Sequence, residues 1–454
     1  MTRELRGFGL AMNLVLRGIF WVVVYLLVAV APLVFAWAGP ELGQGFVINF
    51  SVALGFVGLA MMGLQFALVA RFQTVSAPFG VDVMLQYHRQ MAYVALAFIL
   101  AHPLLLFVYD PDRFLPLLNP LTAPLRARMA VLSTLALPVL VGLSVWRKRL
   151  RMGYEAWQIT HGILGVVIIA AALAHVFLVD YYVDEPWERV LWVAMTGAFV
   201  LLVAWVRVVR PVQRYRSPWR VEEVVPERGQ SYTMVLEPSR RHATHRDGFT
   251  FQAGQFAWIM VGKSPFAITQ HPFSISSSAE RTDRVAFTVK AAGDFTSAIG
   301  SLEPGTTVYL DGPHGAFCID RHEGPGFVFI GAGVGVTPLM SMLRTLADRG
   351  DTRPCYLFLG NRDQDSITFR EEIEGLESRL NLEAVHVLSH PGEGWQGEKG
   401  HLDAAILDRY LPARRERLQY FICGPERMMD AVEGALSKLG ISGEHVHSER
   451  FGMV

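Results

Sequence analysis

HRQMAYVALAFILAH, residues 88–102, and HGILGVVIIAAALAH, residues 161–175, are two apolar stretches that each begin and end on histidine. The interval from His88 to His102 equals that from His161 to His175, fourteen residues in both cases. Fourteen residues make about four helical turns, so each pair shares one helix face and is separated by roughly 21 Å along the axis. Ionisable residues inside such runs are functional candidates, and neutral imidazole is a common haem ligand. Two helices bearing these pairs can clamp two stacked haems, one between His88 and His161 and one between His102 and His175. The other reading of any one of them is a hydrogen-bonded core or interfacial histidine; the duplicated interval favours ligation of haem iron. With both axial positions filled, an acceptor takes its electron at the haem edge, which is electron transfer and not oxygenase chemistry.

Outward from these stretches, the first part of the chain contains six apolar runs long enough for a hydrocarbon core of about 30 Å. They lie near Gly18 to Ala38, Phe46 to Ala70, Met91 to Tyr109, Leu125 to Trp146, Gly162 to Val179 and Val190 to Val209. The 52% apolar content agrees with a chain partly in lipid. Arg3 and Arg6 precede the first run without a small-residue cleavage site after it, so it reads as a retained helix. Arg147, Lys148, Arg149 and Arg151 follow the fourth run, and Arg207, Arg210, Arg214 and Arg216 follow the sixth. These basic segments place both ends of the chain in the cytoplasm, in a multi-pass protein of the inner (plasma) membrane. The acidic stretch Asp180 to Glu188 falls outside, as this orientation requires; Arg113, Arg126 and Arg128 run against it. In that topology His88 and His161 hold the inner haem, His102 and His175 the outer one. Arg71 and Arg89, near the cytoplasmic edge, read either as partners of haem propionates or as topology-setting charges.

The net charge is zero and no basic run is interleaved with aromatics, which sets nucleic acid aside as a partner. Cys318, Cys355 and Cys423 lack paired metal-ligand spacing and are too few for an iron–sulfur cluster or a disulfide framework. Redox chemistry here therefore needs other cofactors. After Pro211 short β-like stretches (Ser231 to Leu236, Gln255 to Val261, Val285 to Lys290, Thr307 to Leu310) predict a small antiparallel barrel over 212–322. From Phe327 strands alternate with helix-like pieces, predicting a parallel α/β domain over 323–454 behind a membrane domain of residues 1–211.

The soluble part carries a series of ordered motifs. Gly254-Gln255-Phe256 precedes His271-Pro272-Phe273-Ser274-Ile275; Phe287-Thr288-Val289-Lys290 precedes Gly293-Asp294-Phe295-Thr296 at a predicted helix start; Gly312-Pro313-His314-Gly315 follows. Backbone N–H groups at a helix N-terminus attract anions, and Lys290 adds a charge there. Gly331-Ala332-Gly333-Val334-Gly335-Val336-Thr337-Pro338 lies between an apolar strand and a helix-like segment, where glycine permits close backbone approach to a dinucleotide. Asn361-Arg362-Asp363, Thr368-Phe369-Arg370-Glu371-Glu372, Cys423-Gly424-Pro425 and Glu449-Arg450-Phe451 complete the series. Singly they are unspecific: Ser274 fits a turn beside a strand, Cys423 a buried small residue, Arg362 a solvated surface charge.

In this order the motifs resemble the ferredoxin-NADP reductase superfamily. With histidine first in the 271–275 run, and with the histidine pairs upstream, the chain resembles the NADPH oxidase and ferric reductase branch of transmembrane flavocytochromes b. The resemblance covers nearly the whole chain. It implies FAD along His271, Pro272, Phe273, Ser274 and Ile275, with the Ser274 hydroxyl near flavin N5 and Lys290, Gly293 and Thr296 at the pyrophosphate. It implies a nicotinamide cofactor over Gly331, Gly333, Gly335, Thr337 and Pro338, with Cys423, Gly424 and Pro425 beside the nicotinamide. Arg362 matches a contact to the adenosine 2′-phosphate, so NADPH is preferred and NADH possible. Phe451 matches the aromatic that covers the flavin, with Gly452, Met453 and Val454 beyond it. The implied activity passes electrons from NADPH through FAD and two b-type haems to an external acceptor, first oxygen, giving superoxide, and second ferric or cupric ion. The arginine that animal oxidases place beside the outer haem has no counterpart aligned here. A membrane electron-transfer subunit or haem sensor serving a partner protein, and a flavoreductase whose membrane half is only an anchor, are the readings from other classes.

Overall fold

The computed structural model describes residues 2–38, 44–179, 183, 185–239, 248–262, 264–267 and 270–450. The chain divides into two compact units, one built on residues 13–211 and one containing residues 212–454.

Among the described residues, six helices are long and apolar enough to cross a membrane, and they make up most of the first unit: α1 (Thr2–Ala38), α2 (Phe46–Val69), α3 (Val81–Tyr109), α4 (Leu125–Val145), α5 (Tyr154–Val179) and α6 (Pro186–Tyr215). Four of the helices start earlier than their apolar runs suggest. α3 begins at Val81 and not near Met91, and α5 at Tyr154 and not near Gly162. Hydropathy marks the stretch that suits lipid, whereas the helical hydrogen-bond ladder continues through polar residues such as Gln86, His88 and Arg89. α2 packs chiefly on α3, and α4 chiefly on α5. A Cβ on Gly58 of α2 would stand 2.8 Å from Ile99 of α3, the close approach that small residues allow in lipid. Met61, Ala95, Ile99, Leu137, Leu140, Ile168 and Ile169 form the core between these helices. α6 is interrupted by a π-helical turn, Trp205–Val209.

In the second unit, β1 (Trp219–Glu227), β2 (Ser231–Pro238), β3 (Phe256–Val261), β4 (His271–Ser274), β5 (Val285–Lys290) and β6 (Thr307–His314) form an antiparallel sheet in the order β4-β3-β6-β1-β2-β5. The sheet curls until its edges meet at the bridge Ile275↔Phe287. Alternate residues, among them Met234, Leu236, Val285, Phe287 and Val289, turn inward to the core, as a strand period of two requires. A short helix, α7 (Asp294–Ala298), follows β5.

Six parallel strands follow: β7 (Phe327–Ala332), β8 (Cys355–Asn361), β9 (Leu382–Leu388), β10 (Glu398–Lys399), β11 (Gln419–Cys423) and β12 (Val446–Glu449), in the order β10-β9-β8-β7-β11-β12. Helices α8 (Val336–Asp348) and α9 (Arg370–Leu376) contribute to one apolar cluster, and α10 (Ala404–Tyr410) and α11 (Glu426–Lys438) to the other. The chain leaves β7 toward β8 on one side and returns as β11 on the other, so the order reverses at β7 and β11. Ligands of open parallel sheets bind at the carboxyl ends of such strands. α8 also ties the two sheets together: Ser341 Oγ donates to the Ser277 carbonyl at 2.8 Å, Thr345 Oγ1 accepts from Ala279 N at 2.9 Å, and Arg344 bonds the Ser276 carbonyl and Glu372.

Candidate functional site

The membrane unit turns its four histidines toward one another in pairs. The rings of His88 on α3 and His161 on α5 are 6.2 Å apart between centroids and inclined at 58°. His102 and His175 form the second pair, near enough to interact electrostatically. Each imidazole is held from behind. His102 Nδ1 lies 2.9 Å from the Ser51 carbonyl, while Ser51 Oγ donates to the His102 carbonyl at 2.7 Å. His175 Nδ1 lies 2.9 Å from the Arg126 carbonyl. His161 Nδ1 lies 3.1 Å from Ser144 Oγ, whose own proton goes to the Leu140 carbonyl. The Nδ1 edge of His88 faces Gln65, 2.7 Å from its side-chain amide and hydrogen-bonded to its backbone. A carbonyl can only accept, so Nδ1 carries the proton in His102 and His175, and the Ser144 geometry asks the same of His161. The Nε2 lone pairs of these three rings are thereby left free. Gly55 makes room for this: a Cβ there would stand 3.3 Å from the His102 ring.

In the curled sheet, Ser274 closes β4 opposite Phe256 of β3, is buried, and its hydroxyl makes no hydrogen bond among the described residues. His271 stacks on Phe295 at 3.9 Å between ring centroids, with Phe273 on the same ring at 6.0 Å. Pro272 and Ile275 continue the strand edge, paired with Trp258 and bridged to Phe287. Lys290 ends β5 with an exposed side chain. The expected anion site at the start of α7 is partly used up, because Thr296 Oγ1 accepts from Ala292 N at 2.9 Å and Gly293 N at 3.0 Å.

At the carboxyl ends of β7 and β11 two loops come into close contact. A Cβ on Gly335 would lie 2.3 Å from the Cys423 carbonyl oxygen and 2.8 Å from Gly424, so only glycine fits. Gly331 stands beside Cys423 in register, and Gly333 adopts a left-handed backbone at φ +54°. Thr337 donates to the Val334 carbonyl at 2.8 Å, and Pro338 follows it in the first turn of α8, buried. Pro425 caps α11. Cys423 is fully buried, and burial first, then Glu449, pushes its thiol well above the ordinary range; it is a neutral group here. Arg362, just past β8, is exposed, and its guanidinium has no partner among the described residues while its carbonyl accepts from His390 N, whereas Asp363 caps its own turn by accepting from Ser366 N. Phe451 lies outside the described residues.

Sequence reasoning missed Gln65, Ser51 and Ser144, polar residues within apolar helices that hold the imidazoles, and Glu449. Glu449 pairs in register with Cys423, and its carboxylate lies 3.2 Å from the Cβ position of Gly315.

Comparison with known proteins matches three families in series. Residues 54–172 match "Ferric reductase like transmembrane component", 233–316 match "FAD-binding domain", and 329–434 match "Oxidoreductase NAD-binding domain". Ferredoxin--NADP reductase B of Sorangium cellulosum (strain So ce56) is 33% identical over 214 residues, which is 45% of this chain and 86% of that protein. The glycine betaine monooxygenase reductase subunit of Chromohalobacter salexigens is 31% identical over 211 residues, 45% of this chain and 57% of that one. Among solved structures, the flavohem-like FAD/NAD binding domain of nitric oxide dioxygenase from Vibrio cholerae aligns at TM-score 0.45 and 22% identity, covering 52% of this chain and 98% of that one. The chain belongs to the ferric reductase and NADPH oxidase-like family: it is an NAD(P)H-dependent transmembrane oxidoreductase with FAD- and NAD-binding domains of the ferredoxin-NADP reductase type.

Proposed function

We propose that this chain carries electrons from NADPH through FAD and two b-type haems across the inner membrane to a small external acceptor, oxygen first. The observation that carries the haem reading is the set of facing imidazoles. The facing rings of each pair would hold one iron between their imidazole nitrogens, which requires a gap between the two rings. The His88–His161 separation is 6.2 Å. A ligating histidine keeps its other nitrogen hydrogen-bonded, which fixes tautomer and ring direction, and this is what the Ser51 carbonyl, Ser144 and the Arg126 carbonyl supply to His102, His161 and His175, while Gln65 packs on the Nδ1 edge of His88. The fit is therefore good: His88 with His161, and His102 with His175, would hold the two irons.

When bound, the flavin converts a two-electron hydride donor into single electrons and the haems conduct them. The protein's own part is positional. Ser274 offers an unused hydroxyl on β4, Lys290 a charge at the end of β5, and the tight Gly335–Cys423 packing a partly exposed glycine-rich backbone at the carboxyl ends of β7 and β11 for the dinucleotide to approach. Cys423, being neutral and buried, positions the nicotinamide and does not react. The Arg450 guanidinium bonds Asp430 and Glu433 of α11, and the next residue in the sequence, Phe451, is the one the resemblance assigns to cover the flavin. The basic segments after α4 and in the last turns of α6 support cytoplasmic termini and reductase domains.

Ferric or cupric ion is the second reading of the acceptor, favoured by the match of residues 54–172 to a ferric reductase-like component. Purified protein in detergent, given FAD and NADPH, tests both. A reduced-minus-oxidised spectrum with b-type haem bands is expected, together with product formation sensitive to superoxide dismutase. Dismutase-insensitive reduction of a ferric chelate would move the assignment to the second reading, and absence of haem bands would overturn the relay.

A further inference from the structure

The imidazoles of the membrane unit differ in what holds them. His102 and His175 each set Nδ1 2.9 Å from a main-chain carbonyl, that of Ser51 and that of Arg126. His161 instead meets a hydroxyl, Ser144 Oγ, at 3.1 Å. That oxygen is not reserved for it. The Trp157 indole Nε1 donates to the same Ser144 Oγ at 3.2 Å, and the Ser144 proton goes to the Leu140 carbonyl at 2.9 Å. A serine hydroxyl has one proton and two lone pairs, so Ser144 is fully spent, with its electron density divided between two N–H donors.

Trp157 is held in place for this by its neighbours. It precedes His161 by one turn of α5, and the two rings are 5.3 Å apart between centroids and inclined at 45°. Arg147 lies over the Trp157 ring at 5.4 Å and over that of Tyr154 at 5.5 Å, and a cation above an indole face fixes the plane of the ring. A strong acceptor on Nδ1 makes an imidazole a more basic ligand, and second-shell hydrogen bonding is one of the levers by which a protein sets a haem potential. A hydroxyl oxygen shared with a second donor pulls less on the Nδ1 proton than a carbonyl does.

We infer that Trp157 is a positioning residue of the electron relay: by sharing the Ser144 oxygen it weakens the hydrogen bond of His161 and holds the inner haem at a higher midpoint potential than Ser144 alone would give. The inference rests on the haem reading above. An Nδ1 proton drawn strongly to its acceptor leaves negative charge on the ring and favours the ferric state, which carries one positive charge more; a weakly drawn proton favours the ferrous state. Trp157→Phe keeps a ring and removes the indole nitrogen, so Ser144 serves His161 alone and the inner potential falls. Ser144→Ala removes the acceptor and the potential rises. The two substitutions act through one oxygen with opposite signs.

The test is potentiometric titration of the haem bands of the full chain in nanodiscs, with haem content measured by pyridine haemochrome and the inner step identified by its loss in His88→Leu. Trp157→Phe is expected to make the inner potential more negative, by on the order of tenfold in the reduction equilibrium or about 59 mV for one electron, with the outer haem unmoved. Ser144→Ala is expected to shift it in the positive direction, and Ser144→Thr, which keeps the hydroxyl, to stay close to wild type. In the double variant Trp157→Phe with Ser144→Ala the Trp157 effect should vanish, because the oxygen that transmits it is gone. An unshifted inner potential in a fully loaded Trp157→Phe variant overturns the inference, and so does a shift that persists in the double variant or has the same sign as that of Ser144→Ala. Loss of the inner haem from Trp157→Phe also overturns it, since the indole would then be a packing element. A wild type without haem bands would instead fail the reading on which the inference rests.

Discussion

Arg362 and Ser274 are single residues with their polar groups unspent, and that is what makes them testable. Most arginines of the nucleotide half are committed: Arg349 to Glu280 and Asp320, Arg344 to Glu372, Arg353 to Asp351. Arg362 is not, so the loss caused by Arg362→Ala should fall on the cofactor that presents a phosphate to it. A hydrogen bond to a charged group is worth about 1.5–3 kcal/mol. The expected outcome is a KM for NADPH raised about tenfold or more, at about 1.4 kcal/mol per factor of ten, with the KM for NADH nearly unchanged. Equal loss with both cofactors in steady-state assays would remove Arg362 from the site. Ser274→Ala should slow flavin reduction by about tenfold or more while leaving nucleotide affinity alone, because an interaction felt at the reacting atoms lowers rate and not binding. Stopped-flow absorbance separates the two, and an unchanged rate would return Ser274 to a packing role. The four histidines were legible because one interval occurs twice. Their Nδ1 partners were not, because Ser51, Gln65 and Ser144 meet those rings only when the helices pack; the one available signal was a polar side chain inside an apolar run.

At the level of elements, long apolar runs located all six helices, whereas helix ends were misjudged wherever polar residues carry the helix past the lipid-compatible stretch. The strands β2, β3, β5 and β6 and the four central parallel strands were legible from apolar or alternating pattern. β1 was not, because a bulge between Val221 and Glu223 breaks its alternation. β12 was hidden by His447 and Ser448, and its pairing to β11 brings a further property. His447 stacks on His322 at 3.4 Å between ring centroids, and its Nε2 lies 2.8 Å from Gln419 Oε1. Burial holds His322 down to about 4, with Arg321 adding to it; burial holds His447 down to about 3, with His322 and His445 adding to it. His445 itself faces Glu444 and Gln419. Between pH 6.5 and about 4 the unfolded imidazoles bind protons that the folded ones do not. Their contribution to stability is therefore complete above pH 6.5 and lost as the pH falls through that window. The protein is expected to release its flavin at a lower temperature at pH 5 than at pH 7.5, and His322→Phe, which keeps a ring on the stack, to narrow that gap by a few degrees. Flavin fluorescence during heating measures this; an unchanged gap would show that the stack does not set the acid response.

For the molecule as a whole, the three-part order of membrane helices, curled antiparallel sheet and parallel sheet was legible because each part uses a different hydrophobic period. The path of the electrons depends on something the period does not state, namely which histidine pair comes first. The proposed order follows from the basic segments after α4 and in the last turns of α6, which put the starts of α3 and α5 on the cytoplasmic side, so that His88 and His161 precede His102 and His175. Replacing His102 or His175 by Leu should remove the outer haem only, leaving NADPH able to reduce the flavin and the inner haem but unable to support rapid reduction of an external acceptor. Replacing His88 or His161 should break the path at its entry, so that the flavin is reduced while any remaining haem stays oxidised on the turnover timescale. The four variants therefore divide into two pairs by which band responds, a pattern that general misfolding would not produce. Anaerobic stopped-flow following flavin and haem bands separately, with haem content measured beforehand, reads the pattern directly. Rapid NADPH-driven haem reduction in the His88 variant, or full external activity in the His102 variant, would show that the order is reversed or that the pairs do not lie in series.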